Sequence, residues 1–141
     1  MPDPLDTVPL FVYGSLRPGG ELWASIEPHV IEARPAIVPG RLVWHEGMQW
    51  PLLLAEAPYA ETVRGELLQL RSGDAVNRII VDEEIRYGYD VRWTTVRVDR
   101  DGEPADMPAL VFVWARDDEI GPDIISGDFA EVWGSGTTPA T

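Results

Sequence analysis

The sequence predicts an α+β protein, a small mixed or antiparallel β-barrel with one main helix. Three observations lead there. Thirteen glycines and thirteen prolines cut the 141-residue chain into short pieces, which favours strands and turns over long helices. From Tyr89 the chain alternates, with Tyr89, Val91 and Trp93 on one side and Asp90, Arg92 and Thr94 on the other, the period of a half-buried strand. One segment, Asp74–Tyr87, instead sets Val76, Ile79, Ile80, Glu83 and Tyr87 at helical spacing. Many short strands and one helix suggest a barrel with the helix over one opening.

The elements follow in order. Residues 1–7 are polar and proline-rich and are expected to be loose, as is the Gly/Ser/Thr tail at 134–141; one domain is expected over residues 8–133. Residues 10–13 form an apolar, β-branched and aromatic run that ends abruptly in Tyr13-Gly14-Ser15-Leu16 and then Arg17-Pro18-Gly19-Gly20. That is a strand entering a glycine-rich loop, whose backbone N–H groups can converge on an anionic or carbonyl oxygen. Further strands are expected at residues 29–38, 41–44, 52–55, 62–70, 89–98 and 109–115. Ser72 or Asp74 caps the helix between the fifth and sixth of these seven strands.

Composition narrows the function. There is no cysteine, so disulfides, thiol nucleophiles and thiolate metal sites are excluded. All eleven basic residues are arginine, which excludes Schiff-base chemistry and a Walker-type phosphate loop. A net charge of −13 gives no positive footprint for nucleic acid and repels an anionic membrane surface. No apolar run approaches the roughly 18 residues that span a bilayer. The N-terminus has no basic region followed by an apolar one, so no signal peptide is expected and a cytoplasmic location is.

The helix carries the most chemical segment. Asp82, Glu83 and Glu84 follow Ile79-Ile80-Val81. A residue four places after an inward apolar one points the same way, so Ile79 projects to Glu83 and Ile80 to Glu84. At least one carboxylate is expected to face the interior or a cavity, where desolvation raises its pKa and suits it to general acid–base work. The plainer reading is a solvated acidic face or a partner for Arg86 or Arg92.

Several pieces of the chain, taken in order, resemble one family. Phe11-Val12-Tyr13-Gly14-Ser15-Leu16 is similar to the Tyr-Gly-Ser/Thr-Leu signature of the gamma-glutamyl cyclotransferase-like superfamily. Gly40-Arg41-Leu42 resembles its second strand, Trp50-Pro51-Leu52 its Tyr-Pro-Ala/Leu segment, and Val63-Arg64-Gly65-Glu66-Leu67 its Val-x-Gly-Glu-Leu strand. Residues 79–83 with Tyr89 and Arg92 resemble its Leu-Asp-x-x-Glu helix and Tyr-x-Arg strand. Residues 109–114 and Ile125-Ser126-Gly127-Asp128-Phe129 resemble its closing strand and Ile-x-Ser-Gly-Asp-Trp segment. The ordered set, from about Leu10 to Phe129, carries the resemblance rather than any one piece.

The resemblance implies a six- or seven-stranded barrel that cleaves a small-molecule gamma-glutamyl amide without water. The substrate's α-amine attacks its own γ-carbonyl, giving 5-oxoproline and a free amine, with no metal or organic cofactor. Glu83 becomes the proton shuttle, with Glu84 as runner-up. Tyr13, Gly14, Ser15, Leu16, Arg17 and Tyr89 become substrate-binding residues, Arg17 toward the substrate carboxylate, with a surface role as its alternative, and Tyr89 as a hydrogen-bond donor, with a core aromatic as its alternative. A cavity is expected beside the turn at 13–16, and the oligomeric state is left open. This chain departs from the family pattern at Ile80 (for Asp) and Glu84 (for Gly). A register starting on Val81-Asp82 would put Ile85 at the glutamate position. Helical phase and the spacing to Tyr89 favour Glu83. The alternative is a non-catalytic barrel of the same fold that binds a small acidic ligand.

Other constellations are weaker. Ser15 sits in a strand-to-loop turn, but Gly-x-Ser-x-Gly is missing and only His29 and His45 are available, both read as structural or exposed. Two isolated histidines and dispersed acids have no metal-ligand spacing. Trp44, Trp50, Trp93 and Trp114 are read as core, Trp23 and Trp133 as rim or partner surface.

Overall fold

Apolar runs bounded by glycine and proline pair into two sheets. The computed structural model describes residues 7–14, 16–20, 22–47, 50–54, 62–116, 118–124 and 128–129, with the backbone alone for 83–87. Its strands are β1 (Thr7–Val12), β2 (Val30–Pro39), β3 (Arg41–His45), β4 (Pro51–Leu54), β5 (Thr62–Arg71), β6 (Asp90–Arg100), β7 (Glu103–Val113) and β8 (Ile120–Asp123). The helices are α1 (Trp23–Ile26), which runs into a 3₁₀ turn (Glu27–His29), and α2 (Asp74–Tyr87).

The α+β class holds, and the strands divide between two sheets. Five close a barrel in the order β1-β5-β2-β6-β7, and β4-β3-β8 form a second, three-stranded sheet. Four of the barrel's contacts are antiparallel, and β1 pairs with β7 in parallel at Leu10–Phe11 and Leu110–Val111. The second sheet is antiparallel. It is tied to the barrel's exit by Trp114 N–H donating to the Leu53 carbonyl at 2.9 Å. Leu10, Phe11 and Val12 are buried in succession, the pattern of a strand covered on two sides. Thr7, expected in the loose terminus, is already paired with Arg71.

α2 has the bounds its periodicity predicts. Asp74 stands in its first turn, where a carboxylate complements the helix dipole. Gly88 follows its last residue at φ +83°, the left-handed position that ends many helices. β6 and β7 are joined by a two-residue turn, Asp101-Gly102, both at positive φ. That is the hairpin geometry matching strand twist.

The alternation read from Tyr89 is present, but its faces need correcting. β6 and β7 pair without a register shift, Thr94 opposite the buried Ala109 and Trp93 opposite Leu110. The barrel interior thus receives Val96 and Val98, and Trp93 lies on the outer face. Tyr89 shares that outer face but is covered there by Phe112 and Trp114, at ring distances of 6.0 and 5.7 Å. Trp93 is 63% exposed and is not a core residue. Trp44 and Trp114 are core, and Trp50 is half-buried against it. Trp23 is also half-buried, its indole N–H donating to Glu27 at 3.1 Å, and Trp133 lies outside the described residues.

Candidate functional site

The turn that leaves β1 is built by its neighbours. Tyr13, just past the strand, is buried, and its hydroxyl donates to the Phe112 carbonyl of β7 at 2.6 Å. The Gly14 carbonyl accepts the Arg17 N–H at 3.0 Å, and the Arg17 carbonyl accepts the Gly20 N–H at 2.7 Å. Two tight turns therefore follow one another. Ser15 lies outside the described residues. Leu16 is buried.

Two glycines in this region have close neighbours, and at Gly65 space demands glycine. A Cβ on Gly14 would stand 3.0 Å from Pro51 Cγ of β4, so the proline ring packs directly on the turn. A Cβ on Gly65 of β5 would drive into the Val12 carbonyl and stand 2.9 Å from Phe11 Cζ. A side chain at 65 would push the end of β1 away and move the turn with it.

Next to Gly65, Glu66 reaches the same turn. Arg17 is 8% exposed. Its Nε and Nη2 donate to the two Glu66 oxygens at 2.6 and 3.1 Å, and its Nη1 donates to Asp128 Oδ1 at 2.6 Å. Burial by itself lowers the guanidinium pKa. The hydrogen bonds and charges of Glu66 and Asp128 outweigh it and hold the pKa above its ordinary value. The forked pair with Glu66 matches the planar geometry of guanidinium and carboxylate. Phe129 anchors the next residue in the core, edge-on to Trp44 at 5.2 Å.

Tyr89 donates its hydroxyl to the Pro51 carbonyl at 2.5 Å. The residue that packs on Gly14 is therefore also the acceptor for Tyr89. The structure brings Tyr13, Gly14, Leu16 and Arg17 onto one turn and connects Tyr89 to it through Pro51. Glu83 and Glu84 belong to α2, and their side chains lie outside the described residues. Arg92 pairs with Asp90 at 3.3 Å on its own strand.

Glu66, Asp128, Pro51 and the Phe112 carbonyl were not singled out as site residues. A buried arginine must find carboxylates, but Glu66 and Asp128 are 49 and 111 positions away. The signals the sequence offers are the motif pieces that contain Pro51, Gly65-Glu66 and Gly127-Asp128.

A second polar cluster pins the smaller sheet. The His45 ring stacks on Trp50 at 4.3 Å. Its Nδ1 accepts the Gly47 N–H at 3.1 Å, and its Nε2 lies 3.4 Å from Glu119. Arg116 lies over the Trp114 ring at 5.0 Å and donates to Asp118 at 2.8 and 2.6 Å. The hydrogen bond from Arg116 holds the Asp118 carboxyl below its usual range. His45 serves as a brace here. Among the described residues no three His, Cys, Asp or Glu side chains are grouped as metal ligands are, and no helix is long and apolar enough to cross a membrane.

Similar proteins give this geometry a context. The sequence pattern of the family described as "Gamma-glutamyl cyclotransferase, AIG2-like" matches residues 10–131. No curated protein matches the chain. Among solved structures, YkqA from Bacillus subtilis superimposes with a TM-score of 0.70 at 19% identity, over 95% of this chain and 44% of that one. This chain thus spans less than half the length of YkqA. An AIG2-like protein from Mus musculus gives 0.60 at 22% identity, over 77% and 78% of the two chains. A gamma-glutamyl cyclotransferase specific to glutathione, from yeast, gives 0.50 at 13%, over 77% and 69%. At these identities the likeness is one of fold.

Proposed function

The chain belongs to the gamma-glutamyl cyclotransferase, AIG2-like family, and on that premise we propose that it cleaves a gamma-glutamyl amide by intramolecular aminolysis. The α-amine nitrogen bonds to the γ-carbonyl carbon, the amide C–N bond breaks, and the proton lost by the attacking nitrogen leaves on the departing amine. The products are 5-oxoproline and an amine, and no water is consumed.

The observation that supports this most directly is the braced turn after β1. Its glycine is packed under Pro51, its end is closed by the Arg17 N–H, and Tyr13 ties its start to β7. The main-chain N–H groups of Gly14 and Leu16, on a turn braced in this way, suit the substrate carboxylate or the oxyanion that develops at the γ-carbonyl. Fixed donors need no reorganisation as charge appears, and one such donor is worth about 10²–10³ in rate. Ring closure within one substrate supplies proximity worth about 7–11 kcal/mol when the ends are held together. Tyr13 and Tyr89 then act by bracing the turn, since their hydroxyls donate to the Phe112 and Pro51 carbonyls.

Glu83 is the proposed proton carrier. Val76 is buried and Ile79 and Ile80 are half-buried, whereas Asn77, Arg78, Val81 and Asp82 are exposed. The inward stripe of α2 therefore runs through 76, 79 and 80. Position 83 continues it at spacings of seven, four and three. Glu84 is one step round the helix and is the second candidate. The test is a screen of gamma-glutamyl dipeptides and gamma-glutamylamines for 5-oxoproline. Cyclised product from at least one class is expected. Binding without turnover across the whole panel would leave a small-ligand-binding barrel.

A further inference from the structure

We infer that Arg17 is a positioning residue: its guanidinium latches the turn at 14–17 to Glu66 of β5 and to Asp128 and does not bind the substrate's carboxylate. Three donor groups of Arg17 already meet carboxylate oxygens within 3.1 Å. One cation lies between two carboxylates, so an incoming anion meets net negative charge there. Stripping either carboxylate away would leave a buried charge without its partner, which is costly. Arg17 is instead placed to act on the backbone. The residue that carries the latch also closes the turn, through its N–H to the Gly14 carbonyl at 3.0 Å. The latch joins three distant parts of the chain: the exit of β1, the middle of β5, and the Asp128-Phe129 step seated on Trp44. Movement of any one of them would shift the donors of the turn.

The latch stands on this geometry alone, and only the statement about the substrate carboxylate rests on the cyclotransferase reading. Two measurements separate them. In the first, amide hydrogen exchange of Asp128→Asn and Arg17→Lys is compared with wild type. Exchange at the Arg17 and Gly20 amides is expected to rise at least about tenfold, with the β1–β5 ladder amides unchanged. A general loosening that moves ladder and turn alike, or no change at the turn, overturns the latch. This readout needs no activity, and two mild variants guard against one failing to fold.

In the second, Arg17→Lys is crossed with a substrate whose α-carboxylate is replaced by a carboxamide. Independent losses in kcat/KM, multiplying within about twofold, are expected. A variant that no longer distinguishes the two substrates would make Arg17 the carboxylate's partner and overturn that half of the inference. Wild-type inactivity on every gamma-glutamyl amide would defeat the cyclotransferase reading and the carboxylate statement with it, while the exchange result still decides the latch.

Discussion

Replacing Gly65 with alanine tests the idea that β5 sets the position of the turn after β1. The added methyl would enter the space of the Val12 carbonyl oxygen and stand 2.9 Å from Phe11 Cζ and 3.0 Å from the Val12 carbonyl carbon. Ordinary carbon–carbon contacts are about 3.5–4.0 Å, so β1 and β5 must separate by roughly 0.5–1 Å, and by more at the oxygen. The obstacle is mainly backbone in a barrel closed on both sides by β5 and β7, so relief by a side-chain rotation is limited. Overpacking of this kind costs about 1–3 kcal/mol, and the backbone clash points to the upper end. For a domain of this length each kcal/mol lowers Tm by about 3–4 °C, so a fall of about 10 °C is expected. Calorimetric unfolding of the intact chain reads it directly. Turnover of the folded fraction should fall as well, because the displaced end of β1 carries Tyr13 and Gly14. A Tm within about 2 °C of wild type would refute the close approach of Gly65 and the role given to β5.

Other perturbations follow from the same contacts. Tyr13→Phe removes a buried donor from the Phe112 carbonyl and should cost about 1–3 kcal/mol, read as a Tm fall of about 3–10 °C with the fold retained. The lowered pKa of Asp118, set by its hydrogen bond to Arg116, means that the ion pair stabilises the fold above the unfolded carboxyl's pKa, near 4. That contribution is lost as pH falls through the lower folded value. Asp118→Asn should therefore flatten the acid limb of a stability–pH curve without altering stability differences among pH values above about 5. An unchanged acid limb would count against the pairing.

Most of the scaffold was legible because its strands are apolar runs with clear punctuation, and α2 because one stripe repeats at helical spacing. The losses have physical causes. β8, Ile120-Gly121-Pro122-Asp123, is four residues long and contains both a glycine and a proline. It survives at the edge of its sheet, where a missing N–H is tolerated. β7 was expected to start after Pro108. It starts at Glu103 because Pro104 and Pro108 lie where the strand is paired to β6 but not to β1. The Asp101-Gly102 turn was a readable hairpin signal that would have extended both strands. Trp93 was misassigned because alternation identifies two faces and does not say which of them a barrel encloses. At the site, the glycine turn was visible in the sequence. The latch on Arg17 was not, because its carboxylates are distant in sequence and an arginine after a turn usually meets solvent.

The central claim is that position 83 carries the proton between the two nitrogens. The most direct measurement is 5-oxoproline release by purified Glu83→Gln and Glu84→Gln variants on whichever gamma-glutamyl amide the wild-type protein turns over. Loss of at least about 10² in kcat is expected for Glu83→Gln, the low end of the range for a general acid–base group, with unfolding behaviour unchanged and Glu84→Gln retaining most activity. Full activity in Glu83→Gln, or loss confined to Glu84→Gln, would contradict the assignment.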